Sequence, residues 1–146
     1  MKLHTPLPDF PEDLIWLNAP DNVTSASPLN RPVLIHFWSV SCTLCKKDYP
    51  ELNKLREDFH DQLSMIAVHM PRQDIDYDMD EIRSAIHQHG ITQPCVIDRE
   101  RVLTDIFENR YVPAYYLFDA SGKLRHYQAG GRATGMLRRR IMRITD

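Results

Sequence analysis

Two kinds of apolar spacing alternate along this chain. Val33 to Trp38 reads VLIHFW and Ser64 to Met70 reads SMIAVHM. Short, nearly continuous apolar runs of this kind suit strands buried on both faces. Between them Leu52, Leu55 and Phe59 recur at helical spacing among charged residues. That spacing predicts an amphipathic helix starting at or near Cys42, with Ser41 as its N-cap and a kink at Pro50. Glu81 to His89 predicts a second helix, closed by Gly90. Residues 95–98, CVID, predict a short strand, and Val102 to Asn109 a short helix. Tyr115–Asp119 and Lys123–Gln128 flank Ala120-Ser121-Gly122, which signals a hairpin. Thr134 to Ile144 puts Leu137, Ile141 and Ile144 on one helical face, with Arg138, Arg139, Arg140 and Arg143 on the wet one. Residues 1–31 are proline-rich: Leu14 to Leu17 predict a short strand, and Asn18 to Arg31 turns and loop, with Pro20, Asp21, Asn22, Ser25, Ser27, Pro28 and Asn30 as breakers. The acidic run DIDYDMDE is read as a solvated loop and helix start. Strands alternating with helices predict an α/β domain spanning 1–146, with a mostly parallel central sheet and an antiparallel edge from the hairpin.

Composition narrows the function classes. Of 146 residues, 42% are hydrophobic and 26% charged, the mix of a soluble globular domain. A net charge of -2 gives no general reason to bind nucleic acid or anionic membranes. No apolar run approaches the roughly 20 residues needed to cross a bilayer. At the N-terminus Pro6, Pro8, Asp9, Pro11, Glu12 and Asp13 interrupt any signal-like apolar stretch, so a cytoplasmic location is expected. Three cysteines are too few for a stapled secreted framework.

Two of the three, Cys42 and Cys45, stand as Cys-x-x-Cys directly after a predicted strand. A thiolate is the reactive form of cysteine, and unpaired N–H groups at a helix N-terminus favour it. One helical turn brings Cys45 within reach of Cys42, which permits a mixed disulfide on one sulfur and its resolution by the other. The competing reading is a metal site. Structural zinc usually takes four ligands, and neither a second cysteine pair nor a histidine at finger spacing from Cys95 is present.

The stretch HFWSVSCTLCKKDYPEL resembles the active-site segment of thioredoxin-like proteins, most of all the TlpA/ResA group. The similarity continues through ITQPCVID, ENRYVPAYYLFDASGKLRHYQAGG and the closing helix, nearly the whole chain. It implies a thioredoxin fold, a central mixed sheet flanked by helices, with an N-terminal extension and an inserted segment near residues 91–109. By the same resemblance Cys42 matches the nucleophile and Cys45 the resolving cysteine. Pro113, after Val112, matches a cis-proline that packs beside the disulfide and shapes a groove for an extended substrate segment. From the residues alone, Pro113 is merely a proline before a strand. The implied partners are protein disulfides and an electron-donating reductase or thiol pool, with neither metal nor organic cofactor, nucleic acid nor membrane, and the chain acting as a monomer. Five positions depart from the broader pattern. Thr43-Leu44 between the cysteines is neither the Gly-Pro of thioredoxins nor the Pro-His of strong oxidants. Ser41 stands where tryptophan is common, His36 where thioredoxins keep a buried acid, and Asp48 where ResA-like proteins often carry glutamate.

The supporting residues carry two readings each. His36 is either a proton shuttle for Cys45 or a hydrogen-bonded core histidine. Asp48, one turn beyond Cys45, is either its base or a solvated carboxylate. Trp38 is expected in the core as one wall of the site, Tyr115 and Tyr116 in strand packing, and Cys95 as inert buried packing. A peroxidase of the peroxiredoxin type shares the fold, but its Pro-x-x-x-Thr-x-x-Cys pattern is not met by WSVSC. A metal-carrying or binding module is the third class. The cytoplasmic start and the absence of Pro-His set the expected chemistry toward reduction.

Overall fold

The computed structural model describes residues 1–19, 30–132 and 134–145. Six strands form one sheet in the order β1-β4-β3-β2-β5-β6. They are β1 Ile15–Leu17, β2 Val33–Trp38, β3 Ser64–His69, β4 Cys95–Ile97, β5 Ala114–Phe118 and β6 Leu124–Ala129. Strands β2, β3 and β4 run parallel, whereas β1, β5 and β6 pair antiparallel with their neighbours. The helices are α1 Thr43–Asp58, α2 Met79–Gln88, α3 Val102–Ile106 and α4 Thr134–Thr145, with a 3-10 turn at Asp74–Tyr77. No helix among the described residues is long and apolar enough to cross a membrane.

Strand β2 is buried at every position, as its unbroken apolar run requires of the middle of a covered sheet. The β2–α1–β3 and β3–α2–β4 crossovers advance in the same direction across the sheet. Right-handed connections therefore put α1 and α2 on one face. Side-chain alternation and register bring His36 and Trp38, Ala67 and His69, Cys95 and Ile97, and Tyr115 to that face. There Trp38 packs edge-on against Tyr49 of α1 at 6.0 Å between ring centres. The opposite face is aromatic: Phe107, just after α3, packs against Phe37 at 5.4 Å, Tyr116 at 5.0 Å and Phe10 at 6.4 Å.

The expected elements are present with shifted ends. β1 omits Leu14, α3 stops at Ile106 rather than Asn109, and α2 begins at Met79 because Asp78 caps it, accepting from the Asp80 and Glu81 amides. α1 continues through Pro50 to Asp58. The segment near 91–109 supplies β4 and α3, and β4 is the strand on which β1 of the N-terminal extension pairs. Of the expected 18–31 loop, residues 20–29 lie outside the described residues. The basic face of α4 is a solvated surface: Arg138 pairs with Asp58 at 2.8 Å and lies over the Phe59 ring.

One expectation fails clearly. The acidic run is not wholly solvated, because Asp76 is buried at 2% exposure, and its carboxylate collects hydrogen bonds from several donors.

Candidate active site

The end of β2 delivers the chain into a tight turn, Ser39–Ser41, and then into α1. Cys42 is the N-cap, not Ser41, and its Sγ accepts the Cys45 N–H at 3.0 Å. The sulfur thus takes the place a serine or threonine oxygen usually fills at a helix start, aimed at free N–H groups where negative charge is favoured. Ser41 is not available to cap, since its hydroxyl donates to Asp76 Oδ2 at 2.7 Å and its N–H to Asp76 Oδ1 at 2.9 Å. Cys42 and Cys45 are joined as a disulfide, their Cα atoms 5.3 Å apart. Both are buried, at 3% and 1% exposure. Leu44 between them is exposed, as are Ile75 and Tyr111. A cavity of about 380 Å³ lies beside the turn, lined by Val40, Ser41, Lys46, Ile75, Glu81 and His89. A hollow of about 450 Å³ between β1 and the end of α2 has neither cysteine in its lining.

The turn ahead of Cys42 is held by the end of β3 and the segment that follows it. The Ser39 hydroxyl donates to the Met70 carbonyl. The Val40 N–H donates to His69 Nε2 at 3.2 Å. That donor fixes His69 as the neutral tautomer protonated on Nδ1, so the 3.9 Å approach of Nε2 to Asp76 is not an ion pair. Burial holds His69 down to about 4, against the pull of Asp76 and Asp98. Burial also works to raise Asp76, but its hydrogen bonds from Arg72, Ser41 and Gln73 outweigh it and keep the carboxyl below its ordinary value. Sequence reasoning missed both His69 and Asp76. A histidine inside an apolar strand was the available signal for the first; the second gave none.

The sequence-predicted supports fall as follows. Asp48 is buried at 4% exposure, which removes the solvated reading. Its Oδ2 accepts the Tyr115 hydroxyl at 2.9 Å and its Oδ1 the Arg132 N–H at 3.0 Å. It therefore ties α1 to β5 and to the turn after β6. At Gly131 an added Cβ would sit 3.4 Å from Leu44, so this turn packs closely on the dipeptide between the cysteines. His36 is a hydrogen-bonded core residue. Arg56 donates to Gln93 Oε1 at 2.7 Å, which turns the Gln93 amide nitrogen to His36 Nε2 at 2.7 Å and makes that nitrogen an acceptor. Burial first, and Arg56 second, lower His36 to about 3, so the ring is neutral near neutral pH. Trp38 is buried between Tyr49 and His69. The Val112–Pro113 bond is cis, and the Pro113 carbonyl accepts the Gly130 N–H at 2.9 Å. Cys95 is unpaired and fully buried, its thiol pushed up to about 12 by desolvation, which leaves it inert.

Residues 4–127 match the AhpC/TSA family. The thiol-disulfide oxidoreductase YkuV of Bacillus subtilis is 48% identical over 145 residues, covering 99% of this chain and 97% of that protein. The DipZ protein of Mycobacterium tuberculosis is 32% identical over 84% of this chain, which spans 18% of DipZ. Among solved structures, a thioredoxin-like protein in its oxidised form superposes with a TM-score of 0.87 at 46% identity, covering 99% and 97% of the two chains. A thiol-disulfide isomerase from Corynebacterium glutamicum shares the fold with a TM-score of 0.80 at 19% identity, covering 95% and 96%. The chain belongs to the AhpC/TSA family and is a thioredoxin-fold thiol–disulfide oxidoreductase whose redox centre is the Cys42–Cys45 pair.

Proposed function

We propose that the protein works as a monomeric reductant of protein disulfides in the cytoplasm. Cys42 is the attacking sulfur, Cys45 the resolving one, and a reductase or thiol pool returns the pair to the dithiol. The carrying observation is the Cys42 sulfur at the start of α1, accepting the Cys45 N–H. That bond stabilises a thiolate on Cys42 and on no other described cysteine. The thiolate attacks one sulfur of a substrate disulfide, and the other leaves as a thiolate that takes a proton. Cys45, deprotonated, then attacks the Cys42 sulfur. The second substrate thiol departs, and the protein has given up two electrons and holds its own disulfide.

Several features support substrates that are chains rather than small thiols. Both sulfurs are nearly covered. Leu44 between the cysteines and Ile75 at the cavity beside the turn offer exposed apolar contact, and Val112 lies in the loop just before β5, where backbone can pair with an extended substrate segment. Asp48 holds α1 in place, and Trp38 and His36 pack the sheet beneath it. A peroxidase is less well supported. WSVSC lacks the proline and threonine of that pattern, and Cys42 is already within bonding reach of its partner.

Equilibration with a glutathione redox series tests the direction. A potential near the thioredoxin value of about −270 mV is expected. A value near −120 mV would make the protein an oxidant and refute the reducing role.

A further inference from the structure

Every residue of the turn ahead of Cys42 is held from outside, and at Ser41 the holders are charged. Asp76 accepts from Ser41 twice, at N–H and at hydroxyl, across 35 residues of sequence. Its Oδ2 also takes the Arg72 and Gln73 N–H groups at 2.9 and 3.0 Å. The exposed Arg72 guanidinium in turn donates to the Ser41 hydroxyl at 3.0 Å. The hydroxyl thus donates to the carboxylate and accepts from the cation, with both roles satisfied. An anion and a cation therefore share one contact, Ser41, immediately before the nucleophile.

We propose that Asp76 and Arg72 are positioning residues for Cys42: together they fix the backbone at Ser41 and, by opposite charges, set how readily the Cys42 thiol ionises. Asp76 works against a thiolate next to it and Arg72 works for one. The other charged or titratable groups around the turn are Lys46 and Asp48 on α1, His69 on β3, Glu81 and His89 on α2, and Arg132 after β6. Of the described charged residues, Asp76 and Arg72 are the ones bonded to Ser41. The local bonds from Arg72 and Gln73 alone would make Asp76 a cap of its own 3-10 turn; the two from Ser41 extend it into the site.

The inference rests on Cys42 being the attacking sulfur. The test therefore reads Cys42 directly, as the rate of iodoacetamide alkylation of the reduced protein against pH, with the modified peptide identified by mass. Asp76→Asn should lower the Cys42 midpoint and Arg72→Gln should raise it, each by about half a unit. The double variant should return near the starting value, and Asp76→Glu should restore it. Loss of structure alone would move both single variants the same way, because both would loosen the helix start. Shifts in one direction, or none beyond about 0.2 units, would overturn the proposal. If Asp76→Asn does not fold, Arg72→Glu must raise the midpoint further than Arg72→Gln, and failure there overturns it equally. Faster alkylation of Cys45 than Cys42 would instead refute the assignment of the nucleophile.

Discussion

Asp48→Ala should be among the most costly single changes that leave the disulfide chemistry itself untouched. The carboxylate is 4% exposed and holds two donors from different parts of the chain, Tyr115 on β5 and Arg132 after β6. A hydrogen bond to a charged group contributes about 1.5–3 kcal/mol. Truncation also strands the Tyr115 hydroxyl, which sits at 1% exposure, at a cost of about 1–3 kcal/mol. Against this, removing a buried anion recovers desolvation energy. The net expectation is a loss of about 2–4 kcal/mol. Near the size of this chain each kcal/mol lowers the melting temperature by roughly 2–4 °C, so a drop of about 5–15 °C follows. Asp48→Asn keeps an acceptor for the Arg132 N–H, and its amide can donate to Tyr115 Oη once that hydroxyl rotates, so it should cost about 1 kcal/mol. A double-mutant cycle with Tyr115→Phe isolates the pair and should give a coupling of about 1–2 kcal/mol. Urea denaturation at neutral pH measures all of these. Asp48→Ala within about 0.5 kcal/mol of the parent, or no coupling to Tyr115, would show that the carboxylate does not tie the helix to the sheet.

Two further outcomes follow from the site. Cys45→Ser should accumulate mixed disulfides with substrate proteins on Cys42, visible on non-reducing gels and dissolved by reductant; if trapping depends on Cys95 instead, the pair is misassigned. Acid should destabilise the fold through His69. Its folded value of about 4 lies below the unfolded 6.5, so the unfolded chain takes the proton first, and its stability contribution, intact above 6.5, drains as pH falls toward 4. His69→Gln should therefore reduce the stability lost between pH 7 and 5 by about 2 kcal/mol, and an unchanged pH slope would refute the neutral, Val40-bonded ring.

What the sequence revealed divides by the range of the interactions involved. Strands β2 and β3, helix α1, the hairpin and the cysteine pair were all legible, because each is written in a local period or a spacing of a few residues. The identity of the helix cap was not. Serine is the better cap by propensity, and only the arrival of Asp76 from 35 residues away takes its hydroxyl and leaves the position to Cys42. The same contact explains why Asp76 read as solvated: four of the other seven residues in its run are acidic, and its bonds to Ser41 come from 35 residues away. The Arg56–Gln93–His36 chain was equally hidden, since it joins α1, the loop before β4 and β2. Trp38, Tyr115 and Cys95 were read correctly as buried because apolar strands carry them regardless of partner.

The two faces of the sheet divide the work between stability and chemistry. The α3 face is a cluster of aromatic rings, Phe10, Phe37, Phe107, Tyr116 and Phe118, packed edge to face and stabilising chiefly through the apolar area they bury. The α1 face carries His36, His69, Tyr115 and Asp48, each engaged by a specific directional bond. Polar groups at these positions cost desolvation that apolar residues would avoid. What they supply is placement: Asp48 sets the helix against β5, His69 holds Val40, and Asp76 holds Ser41. A thiol that must be aimed and ionised at the end of β2 needs backbone fixed to within tenths of an ångström, and a hydrogen bond of fixed direction to a named backbone group specifies that directly. Strand β2, buried at every position, carries both sets of contacts, one on each of its faces.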